Sequence, residues 1–89
     1  MSWRVNYSRQ ARTYLARAQK SVAARVLARL EQIADDPRGH HLSEPLHGRR
    51  DGLRRAVVGG YRILFYVRDE IEVVDVTDIG PRGDIYKGT

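Results

Sequence analysis

The sequence predicts an α+β fold: an N-terminal strand, a two-helix hairpin, then an antiparallel three-stranded meander forming one sheet with helices packed on one face. Three observations carry this. The apolar spacing alternates at the start, turns helical through the first third and alternates again after residue 52. Glycine, proline and aspartate separate these stretches. Residues 53–79 are rich in β-branched and aromatic side chains.

At the start, Trp3, Val5 and Tyr7 alternate with Arg4 and Asn6, the period of a half-buried strand. Ser8 then offers an oxygen to cap a helix over residues 9–18, where Ala11, Tyr14, Leu15 and Ala18 form one apolar stripe. Lys20 and Ser21 mark a break. Val22, Val26, Leu27, Leu30, Ile33 and Ala34 resume the helical period until Asp36-Pro37, where proline removes a backbone donor and disfavours helix before it. Residues 37–52 contain two of the prolines, three glycines and all three histidines, without clear periodicity, and read as a connecting loop.

Strands follow at 53–58, 61–68 and 71–79, separated by Gly59-Gly60 and Asp69-Glu70. If both turns are two-residue loops, Arg62 lies between Val57 and Thr77, and Leu64 between Arg55 and Asp75. Ala56, Val58, Ile63, Phe65, Val67, Val74 and Val76 then form the helix-covered face. Leu53, Arg55, Val57, Arg62, Leu64, Tyr66, Val73, Asp75 and Thr77 form the other. Arginines held on rigid strands make this second face the natural seat for an anion; the plain alternative is an ion pair between Arg62 and a diagonal Asp75.

Eighty-nine residues match one domain spanning 1–89, with a modest core that a partner covering apolar surface would stabilise. With no cysteine, disulfides and thiolate metal sites are excluded and the chain reads as cytoplasmic. It lacks an apolar run of membrane-spanning length and a secretory signal, so no membrane association is expected. The net charge is +5, and residues 1–34 hold seven basic side chains against Glu31 alone. Such a basic face favours a polyanion, nucleic acid or an acidic protein segment, or else serves solubility.

Gly59-Gly60-Tyr61-Arg62, Ile79-Gly80-Pro81-Arg82 and Tyr86, in this order and spacing, resemble the RelE/ParE toxin superfamily, and the likeness extends over essentially the whole chain. Members of the RelE branch are ribosome-dependent endoribonucleases inhibited by an antitoxin. The resemblance therefore implies cleavage of translated messenger RNA by attack of a ribose 2′-hydroxyl on the adjacent phosphate, with no metal or other cofactor. It implies a cognate antitoxin, the ribosome and its mRNA as partners, and a toxin–antitoxin complex able to bind operator DNA.

By the same resemblance Arg62 and Arg82 are phosphate-stabilising catalytic residues, and Tyr86 serves proton transfer or stacking. Arg55 and Arg54, on the strand before the hairpin, are the substrate-binding candidates. Guanidinium forks suit this chemistry because charge builds on phosphoryl oxygens in the transition state. Two departures stand out: Leu53 and Val57 occupy positions where the RelE branch often carries basic residues, and Pro81 replaces the histidine of other branches. The alternative is a ParE-like toxin that inhibits DNA gyrase by protein binding without nuclease activity. His40, His41 and His47 read as loop residues, and Trp3, Tyr14, Tyr61 and Tyr66 as packing residues.

Overall fold

A computed structural model describes residues 2–46 and 52–81. The chain runs as β1 (Arg4–Tyr7), α1 (Arg9–Arg17), α2 (Lys20–Asp35), β2 (Glu44–Pro45), β3 (Leu53–Val58), β4 (Tyr61–Arg68), a 3-10 turn (Asp69–Ile71) and β5 (Val73–Pro81). The strands form one five-stranded sheet in the order β1-β5-β4-β3-β2. β1 lies parallel to β5, and the other pairs are antiparallel. The expected meander is therefore β3-β4-β5 at the centre of a wider, mixed sheet. The short β2 emerges from the segment expected to be loop, where Glu44 and Pro45 pair with Arg55 and Arg54; two residues carry no periodicity to detect.

The helix boundaries follow their local chemistry. Ser8 caps α1 as anticipated, its hydroxyl accepting from the Ala11 amide at 3.1 Å. Ala18, in extended conformation at ψ 156°, separates the helices. Beneath them lies the core: Ala11, Val26, Leu30 and Ile33 from the helices meet Ala56, Val58, Ile63, Phe65, Val74, Val76 and Ile79 from the sheet. Phe65 is fully buried on the central strand β4. Burial of a ring of that size contributes about 1.5–3 kcal/mol.

Both hairpin turns use left-handed backbone. Gly59 has φ +59°, and a Cβ built on it would stand 2.6 Å from the Arg25 guanidinium. At the second turn Asp69–Ile71 forms 3-10 helix and Glu72 adopts φ 52°, so Arg68 pairs with Val73. The connection is thus two residues longer than Asp69-Glu70 alone.

A bulge then adds one more residue to β5. Phe65 pairs with Val76 but Leu64 pairs with Asp78, leaving Thr77 as the extra residue. Its hydroxyl donates to the Leu64 carbonyl at 3.3 Å, and its own carbonyl accepts from Ser8 Oγ at 2.6 Å. Just beyond the end of β1, the Gln10 amide takes the place of a further strand. Gln10 Nε2 donates to the Ile79 carbonyl at 2.7 Å, and Gln10 Oε1 accepts from the Ile79 amide at 2.9 Å. Side chains from the start of α1 therefore satisfy the β5 edge beside the bulge.

This arrangement makes Gln10 a structural residue on an otherwise basic helix. Gln10→Ala is expected to lower the unfolding free energy by about 1–2 kcal/mol, two part-buried hydrogen bonds being lost. An unchanged midpoint and slope in urea unfolding would contradict that role.

Candidate nucleic-acid interface

Alternation along β4 decides which side chains face away from the helices. Ile63 and Phe65 are fully buried in the helix-side core, so Arg62, Leu64, Tyr66 and Arg68 take the opposite face. Register then arranges that face in rows. Val57, Arg62 and Gly80 form one, Arg55, Leu64 and Asp78 the next, and Leu53, Tyr66 and Asp75 the third. Arg55 extends its row to Glu44 on β2.

Arg55 and Arg62 are consequently diagonal neighbours on adjacent strands, about 7–8 Å apart for such a pair and somewhat less between Cβ atoms. Both are half-buried, on strands rather than loops. Side chains of that length can bring two guanidinium forks to one phosphate. At the outer end of the row, the Glu44 carboxylate accepts a hydrogen bond from Arg55 and forms an ion pair with it. Asp78 stands at the inner end, beyond Leu64. Leu64 and Leu53 are only 2% and 3% exposed, so the floor between the charged groups is apolar and shielded from water.

Two expected pairings are corrected here. Arg62 faces Gly80, not Thr77, and Leu64 faces Asp78, not Asp75. The longer turn and the bulge together slide β5 along β4. Asp75 now lies opposite Tyr66, where it accepts from Asn6 at 3.0 Å and from Arg68 at 3.3 Å. The anticipated diagonal between Arg62 and Asp75 is thereby removed. Sequence reasoning also missed Glu44 and Asp78 as neighbours of the arginines; the Glu44-Pro45 strand and the bulge that place them leave no periodic signal.

Arg54 does not join Arg55 and Arg62. Its neighbours Arg55 and Leu53 face the open side, so Arg54 faces the other, pairing in register with Phe65. Its Nε donates to Ser43 Oγ at 2.8 Å and its Nη2 to the Ser43 carbonyl at 3.0 Å. Burial, and then the nearby charge of Arg38, lower its pKa from the usual arginine value. Arg82 and Tyr86 lie outside the described residues, as does His47. β5 is described as far as Pro81, opposite Tyr61, and Arg82 is next in sequence.

The remaining polar groups divide by place. His40 and His41 are exposed, their rings edge to face with centroids 5.7 Å apart. Arg29 bridges the point where β2 separates from β3, donating to the Val57 carbonyl at 3.0 Å and the Leu42 carbonyl at 3.4 Å. Tyr14 and Tyr61 pack with ring centroids 6.5 Å apart, in keeping with a packing role. Burial, followed by the charge of Glu31, raises the Tyr7 pKa above 10.0. Arg9, Arg12 and Arg17 are exposed on α1. Among the described residues no group of three or more metal-ligating side chains converges, and no helix is long and apolar enough to cross a membrane.

Comparison with known proteins identifies the family and the fold. The family model for the ParE toxin of type II toxin–antitoxin systems matches residues 5–86. The chain belongs to that family, within the RelE/ParE superfamily: it is a toxin of a type II toxin–antitoxin system. Among solved structures, the chain is similar to the archaeal RelE–RelB complex from Pyrococcus horikoshii OT3, with a TM-score of 0.78 and 25% identity over 94% of this chain and 99% of that one. It is similar in fold to the RelBE2 toxin–antitoxin complex of Mycobacterium tuberculosis, with a TM-score of 0.79 and 24% identity over 94% and 95% of the two chains. The intact E. coli RelBE complex gives 0.79 and 21% over 90% and 96%. No curated protein matches the chain.

Arg38 and Asp69 supply an electrostatic test of the observed turn. Two hydrogen bonds from Arg38, at 2.7 and 2.6 Å, hold the Asp69 carboxyl below its ordinary 3.8. A depressed folded-state pKa means that the contribution is present above the unfolded value and is lost as pH falls through the folded one. Carboxyl NMR titration is expected to show Asp69 below 3.8 in the native protein and back near it in Arg38→Ala. Identical titration curves would show that the pair does not form in solution.

Proposed function

We propose that the protein is a ribosome-dependent, metal-independent endoribonuclease that cleaves translated mRNA, acts in the cytoplasm and is held inactive by a cognate antitoxin. The observation that carries this reading is the diagonal of Arg55 and Arg62 on one rigid sheet face, with a carboxylate in contact with Arg55. Attack of a ribose 2′-hydroxyl on its 3′-phosphate needs a proton acceptor, stabilisation of the phosphorane oxygens and a proton for the departing 5′-oxygen.

The two guanidinium forks supply the stabilisation. They are fixed before the reaction, stay charged at working pH and meet more negative charge in the transition state than in the substrate. Glu44, beside Arg55, is the carboxylate positioned to take the 2′-hydroxyl proton. Arg82 adds a third cation directly after the Ile79-Gly80-Pro81 stretch of β5, and Tyr86 supplies the proton to the leaving oxygen or stacks on a base. The neighbouring solved complexes of RelE with RelB support an antitoxin as partner. We extend this to a complex that binds operator DNA, and to a chain that forms one domain over 1–89.

A second reading has an observation of its own. The matching family is described by its ParE member, and Val57, 44% exposed, sits on the candidate face where a further basic residue would strengthen RNA binding. On this reading the toxin blocks DNA gyrase by protein contact, and the arginines serve recognition alone.

Induction in cells followed by primer extension separates the two. The nuclease reading expects discrete cuts within translated codons, with Arg62→Ala and Arg82→Ala each reducing cleavage about 100- to 1000-fold, the usual effect of removing one transition-state donor, while the thermal midpoint is unchanged. Intact transcripts with DNA damage would select the gyrase reading. Full toxicity in a folded Arg62→Ala protein would sink the catalytic assignment.

A further inference from the structure

A second basic site lies at the other end of β4, away from the Arg55–Arg62 diagonal. The last β3–β4 pair is Leu53 with Tyr66, so Val67 and Arg68 run on past the start of β3 and leave a notch at the corner of the sheet. The notch is a cavity of about 330 Å³ lined by Arg38, Pro45, Gly52, Arg54, Tyr66, Val67 and Arg68. Three guanidinium groups from three different segments thus meet at one recess. None was absorbed by the candidate active site.

The three differ in how their charge is balanced. Arg38 is paired with Asp69 and Arg68 with Asp75, while Arg54 donates only to the neutral hydroxyl and carbonyl of Ser43 among the described residues. Arg38 and Arg54 are close enough for the first to disfavour the charge on the second. Bringing like charges together costs free energy that a bound anion would offset. The geometry of the floor adds specificity, because Arg68 lies 4.6 Å above the Tyr66 ring. The ring holds the guanidinium by a cation–π contact, and a guanidinium carries more N–H donors than the one Nη2 contact to Asp75 uses.

We propose that the notch formed by Arg38, Arg54, Arg68 and Tyr66 is a phosphate-binding subsite that takes a backbone phosphate of single-stranded RNA. The inference rests on the reading of the Arg55–Arg62 diagonal as an RNA site and deepens it. Tyr66 and Arg68 share the open face with Arg62, four and six residues further along the strand. At about 3.4 Å per residue they are roughly 14 and 20 Å away. At the spacing of about 3.4 Å per phosphate of one strand of duplex DNA, a nucleic-acid strand covers that span in about four to six steps, and an unstacked RNA strand in fewer. One RNA strand laid along β4 reaches both sites.

The test uses the full chain and non-cleavable, 2′-O-methylated fluorescent oligoribonucleotides of two and eight nucleotides, with anisotropy followed across salt concentrations. The octanucleotide is expected to bind at least 10-fold more tightly than the dinucleotide. Arg54→Gln and Arg68→Gln should each remove most of that advantage and lessen the logarithmic salt slope by about 0.7, one single-strand phosphate. Arg54→Lys, which keeps the charge, should retain part of it. Thermal midpoints identify any variant that has lost its fold, and the two glutamine variants act on different strands.

Dinucleotide binding with no octanucleotide advantage, or an advantage that survives both substitutions, would overturn the subsite and leave the Arg55–Arg62 reading standing. Failure of both oligonucleotides to bind the native protein would overturn both. Inorganic phosphate is the second probe: saturation of the Arg54 and Arg68 side-chain signals by phosphate that does not displace the octanucleotide would assign the notch to a small anion and refute the RNA assignment.

Discussion

Burial of Ile63 and Phe65 beneath the helices is the constraint on which the rest depends. Both are fully buried on β4, the strand flanked on both sides in the sheet. Because side chains alternate strictly, fixing these two fixes Arg62, Leu64, Tyr66 and Arg68 on the opposite face. A slip of one residue would expose a phenylalanine and an isoleucine and bury two arginines. That penalty amounts to several kcal/mol and leaves no competing register. The geometry of the candidate site is here a by-product of packing on the other side of the same strand.

The bulge refines this arrangement on β5. By inserting Thr77 it restores the inward direction of Ile79, whose side chain is fully buried, after Val76 has also turned inward. Asp78 is thereby presented beside Leu64. Bulges commonly re-aim a side chain near a functional surface, and this one is secured from outside the sheet by Ser8 and Gln10. The start of α1 thus contributes to the candidate site through the β5 backbone, although its arginines face solvent elsewhere.

Much of this was legible in the residue pattern because period and burial are tightly coupled. The helix-covered face of β3, β4 and β5 contains the apolar residues expected from alternation, and the Gly59-Gly60 turn sets Arg62 opposite Val57 as its two-residue length requires. Ser8 caps α1 for the reason that its chemistry gives. What the pattern could not show depends on backbone conformation at single positions. Glu72 in the left-handed region, the extra Thr77 and the two-residue β2 have no recurring signature, yet together they decide that Asp78 and Glu44, rather than Thr77 and Asp75, flank the arginines. Arg54 shows the limit of adjacency in sequence: next to Arg55 in the chain, it faces the other side of the sheet. Arg82 and Tyr86 enter only through resemblance to a family motif and lie outside the described residues.

The proposed metal-independent cleavage asks the scaffold for cations that stay charged and do not move as the phosphate gains negative charge. A central sheet with one face locked in the core meets that requirement more simply than a loop would. The central claim is that Arg55 and Arg62 engage one phosphodiester together. It is tested most directly by ¹⁵N NMR of the arginine Nε groups during titration with a 2′-deoxy dinucleotide carrying a single phosphate. The account predicts that the Arg55 and Arg62 signals shift along one common saturation curve, and shifts confined to one of the two, or following separate curves, would contradict it.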